Sequence, residues 1–403
     1  MPTRDLLFEI GTEEIPAGFV PRALESLEGS LKKGLASRGL AFEGIRTLGT
    51  PRRLALIVKG LIDRQPDATV EVRGPQKKAA YDDSGNPTKA LLGFALAHNA
   101  SVKDIKTKKT GAQEHVYLTK ETKGGETLSI LPEVLKDVLA GEAFPKSMRW
   151  GDHDLSFARP VHWLLALYGA SAVELSWGHI KSSSYTYGHR FSDSKAGRMT
   201  PEGVKGYVDG LRSLCVIADP EERKGIIRAG LQAAAKEAGG EVLPDDGLLS
   251  EVTFLVEYPV VIRGSFDREF LSLPRDIIIN AMREHQRYFT VVDGSGALLP
   301  HFLTVANTPT IDHEIVRKGN ERVLRARLND AKFYFERDIK VKLPERVASL
   351  KGVVFQARLG TSYEKVERFA LLSLFTGEAT GFSRPLDENE TPADFLKEDL
   401  NPA

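Results

Sequence analysis

Two periods of apolar spacing, near two and near three and a half, alternate along this chain and outline its elements. Leu6 to Ile10 (LLFEI) is a short apolar run stopped by Gly11, which predicts a strand. The stretch after it places Leu24, Leu27, Leu31 and Leu35 on one helical face and Arg22, Glu25, Lys32 and Lys33 elsewhere, with Gly39 as the stop. TPRRLALIVKGL then returns to period two through Leu54, Leu56 and Val58, so the opening reads strand, helix, strand. Further helices are predicted for ETLSILPEVLKDVLAG, PEGVKGYVDGLRSL and DPEERKGIIRAGLQAAAKEAGG. The last of these begins with an Asp219 cap, a proline at the first helical position and an acidic first turn, and ends on a double glycine. VHWLLALYG, EVTFLVEYPVVIRGSF and RYFTVVDGSGALLPHFLTVAN read as strands, the last folded into a hairpin at Asp293 to Gly296.

Strands and helices follow one another irregularly and no internal repeat is seen, which predicts an α+β fold with a mixed sheet rather than a doubly wound one. Residues 1–345 are expected to form the α+β body, with scope for two subdomains. Residues 346–375 begin a helical segment, and 376–403 form an acidic, proline-containing, poorly ordered tail.

Composition adds three constraints. With 55 basic and 55 acidic residues the net charge is zero, so any polyanionic partner must be met by a local patch. The charge is unevenly spread: residues 374–403 hold seven acids and two bases, leaving a body with a modest excess of bases. One cysteine, Cys215, excludes an intramolecular disulfide and a cysteine-built zinc site and fits a reducing compartment. The N-terminus lacks the apolar core of a signal peptide and no run reaches the length of a membrane span, so a cytoplasmic location is expected.

The most charged helical stretch is GNERVLRARLNDAKFYFERD, Gly319 to Asp338. Leu324, Leu328, Ala331 and Phe335 share one face, beside a stripe of Lys318, Arg322, Arg325 and Lys332. Such a stripe can follow a phosphate backbone; the simpler reading is a solvated face with ion pairs along the helix. Glu284 and His285 in MREHQRYFTVVD could serve as a general base, although a lone histidine without a nucleophile is more often structural. That string shares an arginine, an acid and a following phenylalanine with an adenylate-binding motif of class II synthetases, but without its loop or later glycine-rich element, so adenylation is rejected. No phosphate-binding loop and no histidine pair at zinc-binding helical spacing occur. Asp152, His153 and Asp154 read as a polar turn, and the adjacent Glu13 and Glu14 should point apart on an extended chain. Arginines beside aromatics or turn formers recur at Arg52, Arg53, Arg149, Arg159, Arg190 and Arg287, a combination that supplies stacking and phosphate contact to RNA.

The blocks FEIGTEEIP, TPRRLAL, RGP, MRWG, RPVHW, GHRF, EVTFLVEYPVV, EHQRYF, VANT and the arginine-rich helix stand in the order found in the beta subunit of bacterial glycyl-tRNA synthetase, which the chain resembles over about residues 5–370. The resemblance implies an assembly of two alpha and two beta chains. The alpha subunit forms glycyl-adenylate and holds ATP and magnesium, while the beta subunit recognises tRNA(Gly) and is required for charging. It implies no catalytic residue, metal or cofactor in this chain; within that role the basic stripe makes Arg322, Arg325 and Lys332 the candidate contacts to tRNA phosphate or the partner chain, with Arg52, Arg53, Arg149, Arg159 and Arg190 as weaker candidates. It also implies that LGTSYEKVERFALLSLF opens a helical HD-type domain. The acidic tail then departs from the family pattern, as a truncated form would. An independent hydrolase using Glu284 and His285, and a scaffold touching only the alpha chain, are the rival expectations.

Overall fold

The computed structural model describes residues 2–82, 84–110, 113–191, 197–308 and 312–380, which form two compact units. The first comprises residues up to Gly264 together with Arg287–Lys318. Its backbone opens with β1 (Thr3–Thr12), α1 (Val20–Ser37), β2 (Gly44–Thr50) and β3 (Arg53–Ile62), the predicted strand, helix and strand, and Gly39 takes the left-handed conformation (φ +65°) that ends α1. Residues 63–126, for which the pattern gave no elements, hold a separate three-stranded antiparallel sheet. It consists of β4 (Ala68–Gln76), β5 (Ile105–Thr110) and β6 (Gln113–Thr122), in the order β4-β6-β5, with the short helices α2 (Lys77–Ala80) and α3 (Lys89–Ala97) beside it.

The chain continues through α4 (Thr127–Gly141), a small hairpin of β7 (Met148–Arg149) and β8 (Ser156–Phe157), and the central strand β9 (Val161–Tyr168). Short strands β10 (Ser171–Ala172), β11 (Ser176–Trp177) and β12 (Ile180–Ser183) complete the main sheet, whose order is β11-β12-β9-β1-β3-β2 with β10 on β9. β1 lies antiparallel to both β3 and β9, whereas β12 runs parallel to β9, so the sheet is mixed. Period two then sorts the side chains: Leu6, Phe8 and Ile10 join the core beneath α1 and α4, while Leu7 joins the core on the opposite face. Leu27, Leu31 and Leu35 of α1 are completely buried, at roughly 1.5–3 kcal/mol each.

A second hairpin pairs β13 (Thr186–Tyr187) with β14 (Arg198–Met199), and α5 (Gly203–Ser213) covers the other sheet face through Tyr207 and Leu211. α6 (Pro220–Glu237) starts as predicted, with the Asp219 carboxylate accepting from the Glu221 and Glu222 backbone N–H groups. α6 and α7 (Asp246–Thr253) pack on a four-stranded sheet of β15 (Glu241–Val242), β16 (Val260–Ser265), β17 (Phe289–Val292) and β18 (Leu298–Ala306), ordered β15-β17-β18-β16. Part of the run expected as one strand, EVTFLVEYPVVIRGSF, is therefore helical. Asp245 caps the Leu248 N–H, and Leu248, Leu249 and Val252 fall at helical spacing onto the core.

The second unit comprises Ser265–Gln286 and the described residues from Gly319 onward. It contains α8 (Arg275–Gln286), most of α9 (His313–Asp338), α10 (Leu343–Val347), the small hairpin of β19 (Val354–Gln356) and β20 (Gly360–Thr361), and α11 (Ser362–Thr380). The predicted tail beyond residue 380 lies outside the described residues. The α+β class follows directly from these mixed sheets and helices.

Candidate functional site

At the C-terminal end of β1 an acid sits within an apolar strand, and its surroundings explain how it is tolerated. Glu9 is wholly buried, and its carboxylate accepts from the Trp163 indole N–H and from the Thr186 and Tyr207 hydroxyls. Trp163 reaches it by lying across Gly11, where an added Cβ would stand 1.8 Å from the indole, so only glycine fits. Arg53, opposite Gly11 at the start of β3, is also wholly buried. Its Nε donates to Glu257 Oε1 at 3.0 Å and its Nη1 to the Tyr187 carbonyl at 3.1 Å, with Glu9 Oε2 at 3.6 Å. Thr50 donates to the same oxygen of Glu257 at 2.7 Å. Asn307 Oδ1 then accepts from the Glu257 N–H at 2.7 Å and faces His189 Nε2 at 3.0 Å.

Burial opposes charge here, and the opposite charges and donors that face one another offset that cost. Burial alone would push the Glu257 carboxyl up, but Arg53 and the Thr50 hydroxyl hold it below the usual carboxylate range. Burial likewise works against the Arg53 guanidinium, and Glu257 and Glu9 more than reverse that. Burial and the Glu9 charge drive the Tyr207 phenol well above its ordinary value, keeping it a donor. Arg52 stands half-buried, with its guanidinium 5.8 Å from the Trp163 ring.

A second buried cation braces the same end of the sheet. Arg223 of α6 donates Nε to the Thr253 carbonyl at 2.8 Å, Nη2 to Gly49 at 2.7 Å and Nη1 to Ile217. Burial brings its pKa down to about 10. Outside, Arg190 bridges Glu13, at 3.1 Å, and Glu14, while His162 Nε2 meets Glu13 at 3.0 Å. The two glutamates thus converge on one guanidinium instead of pointing apart, because the backbone has left the strand after Thr12.

Arg52, Arg53 and Arg190 are therefore brought together, and Arg159 lies close by in sequence to Trp163, donating to the Ala158 carbonyl at 3.0 Å. The expectation that Arg53 meets an external partner is corrected: with no exposed surface, it acts inside the fold. Arg149 pairs with Asp154 at 3.6 Å in the β7–β8 hairpin, and His153 stacks on His179 with centroids 4.4 Å apart. In the second unit, Arg325 donates to Asp267 at 3.0 Å and Lys332 to Glu269 at 3.0 Å, so these ion pairs reach the segment before α8 rather than running along the helix. Arg322 is exposed. His285 is exposed in the last turn of α8, and Glu284 is ion-paired with Arg283.

Glu9, Thr186, Tyr207, Glu257 and Asn307 were missed as site residues. The available signal was an acid within an apolar run, LLFEI and FLVEYPVV, since a buried carboxylate requires internal partners.

FEIGTEEIP, TPRRLAL, RPVHW, YTYGHRF, EVTFLVEYP and VANT thus converge on one interlocked ionic cluster, which defines an α+β scaffold braced by buried charge. A family model described as glycyl-tRNA synthetase beta subunit matches residues 6–402. The chain belongs to that family. It is 50% identical over 369 residues to the glycine–tRNA ligase beta subunit of Geobacter sp. strain M21, covering 91% of this chain and 53% of that protein. The corresponding protein of Citrifermentans bemidjiense is 50% identical over 366 residues, covering 91% and 53% of the two chains, and that of Geotalea uraniireducens 48% over 371 residues, covering 92% and 54%. The chain spans about half the length of the curated relatives it matches.

Proposed function

We propose that this chain acts as a non-catalytic tRNA-binding and assembly component of a cytoplasmic glycine–tRNA ligase, supporting ATP-dependent attachment of glycine to tRNA by an alpha subunit within a heterotetramer. ATP and magnesium belong to the alpha subunit in this reading. The observation that carries it, beyond family membership, is the engagement of the motif-borne charges with one another. Arg53 is clamped between Glu9 and Glu257, and Arg190 between Glu13 and Glu14, so these residues stabilise a shape.

The outward cations of α9 then serve as contacts to tRNA or the partner chain. Arg322 is available directly, and Arg325 and Lys332 would exchange Asp267 and Glu269 for phosphate. Co-expression with the alpha subunit of the same organism should yield a complex that charges tRNA(Gly), while the chain alone shows no ATP turnover. Replacing Arg322 and Arg325 together with alanine should make the salt dependence of tRNA binding shallower by roughly two units of slope. Enzyme-like hydrolysis of ATP or a simple ester by the isolated chain, abolished by His285→Ala, would overturn this reading.

A further inference from the structure

The sheet of β4, β5 and β6 carries its own small core on one face, where Val116, Leu118 and Ile105 meet Leu91 and Ala95 of α3. The other face has a different composition. Register places Arg73, Tyr117 and Lys106 side by side across the three strands, with His115 and Lys108 as neighbours in the next row. Arg73 and Lys106 are exposed and Tyr117 is half-buried. Cross-strand neighbours stand roughly 5 Å apart, so one aromatic ring is flanked on both sides by a cation. Arg73 Nη2 lies 2.6 Å from His115 Nε2, which fixes the guanidinium over the sheet, and Lys108 stands 5.8 Å from the Tyr117 centroid on its way to Glu71. Residues 68–122 hold nine bases and six acids, and two of those acids, Glu71 and Glu114, are already paired with Lys108 and Lys77.

From this juxtaposition we infer that the outer face of β4–β6–β5 is a platform for an unpaired stretch of RNA, one base stacking on Tyr117 and its flanking phosphates meeting Arg73 and Lys106. An aromatic face offers stacking that any base can use, and cations at its two sides meet the backbone that every strand carries. The Lys108–Glu71 ion pair joins the two outer strands beside the Tyr117 ring, so a base that stacks there displaces this pair as it seats. The inference rests on the subunit reading above, in which the chain handles tRNA, and adds a contact surface remote in sequence from α9.

The test uses the whole chain and a fluorescein-labelled twelve-nucleotide single-stranded RNA, followed by anisotropy across a salt series. Tyr117→Ala should weaken binding roughly 5- to 100-fold. Arg73→Ala with Lys106→Ala should flatten the slope of log K against log salt by about 1.4, the value for two single-strand phosphates. Photocrosslinking of the unaltered chain to 4-thiouridine RNA supplies a measurement independent of variant folding, and adducts should map to β5 and β6. Wild-type affinity and slope in both variants, with no adduct in residues 68–122, would overturn the platform. So would equal competition by polyglutamate, which would identify an acidic protein partner instead. Loss of binding confined to Arg322→Ala/Arg325→Ala would also overturn it and leave the subunit reading intact, whereas failure of that reading shows separately in the charging assay.

Discussion

Replacing Arg53 with methionine tests whether the ionic cluster braces this end of the sheet. Methionine keeps much of the stem volume but removes the guanidinium, and with it the 3.0 Å bond to Glu257 and the 3.1 Å bond to Tyr187 O. Glu9 retains three neutral donors, whereas Glu257 keeps only the Thr50 hydroxyl among the side chains donating to it. Breaking a buried pair on one side costs about 3–5 kcal/mol, because the surviving charge stays in a medium that cannot solvate it. At about 2–4 °C per kcal/mol for a sizeable domain, Tm should fall by roughly 10 °C. Urea unfolding followed by tryptophan fluorescence reads this locally, since Trp163 lies 5.8 Å from the Arg53 guanidinium. The pH dependence gives a second check. In the unaltered chain the folded Glu257 pKa is depressed, so its contribution is complete above the unfolded value near ~4.3 and is lost as pH falls through the folded value. In Arg53→Met the same carboxyl is buried without its cation and its pKa rises, so the variant regains stability on acidification and the gap between the two proteins narrows. Adding Glu257→Gln should recover part of the loss at neutral pH. A loss below about 1 kcal/mol, or a gap independent of pH, would refute the reasoning.

Two further substitutions probe the same end of the sheet. Arg223→Met orphans the Gly49, Ile217 and Thr253 carbonyls together and should cost about 3 kcal/mol or more, measured by urea denaturation; a loss under ~1 kcal/mol would show that the three carbonyls find other donors. Gly11→Ala places a methyl group inside the Trp163 ring position and should displace the indole from Glu9, lowering stability by about 1–3 kcal/mol and shifting the tryptophan emission; unchanged emission and stability would contradict the close packing.

Much of the architecture was legible where period and punctuation agreed. α1 has four leucines on one face and a glycine stop, α6 has its Asp219–Pro220 start, and the β17–β18 hairpin turns at Asp293, whose carboxylate accepts from the Ser295 and Ala297 N–H groups. The β4–β6 sheet was not legible, because lysines, threonines and glutamates crowd its strands and leave little apolar contrast. EVTFLVEYP misled because an apolar run of this length fits a helix end as well as a strand. At the site, Arg52, Arg53 and Arg190 stood out as charged residues beside aromatics, yet whether a cation turns inward depends on acids far away in the chain. Arg53 and Glu257 are 204 positions apart, and spacing along a sequence carries no trace of that meeting.

That separation also sets an order of events during synthesis. A ribosome releases Glu9 and Arg53 early, but the chain must lengthen by 204 residues before the second glutamate exists. At about 5–20 residues per second the wait is roughly 10–40 s. Throughout it Glu9 is the one carboxylate of the cluster that Arg53 can face, and the bond from its Nε can form only after Glu257 has emerged.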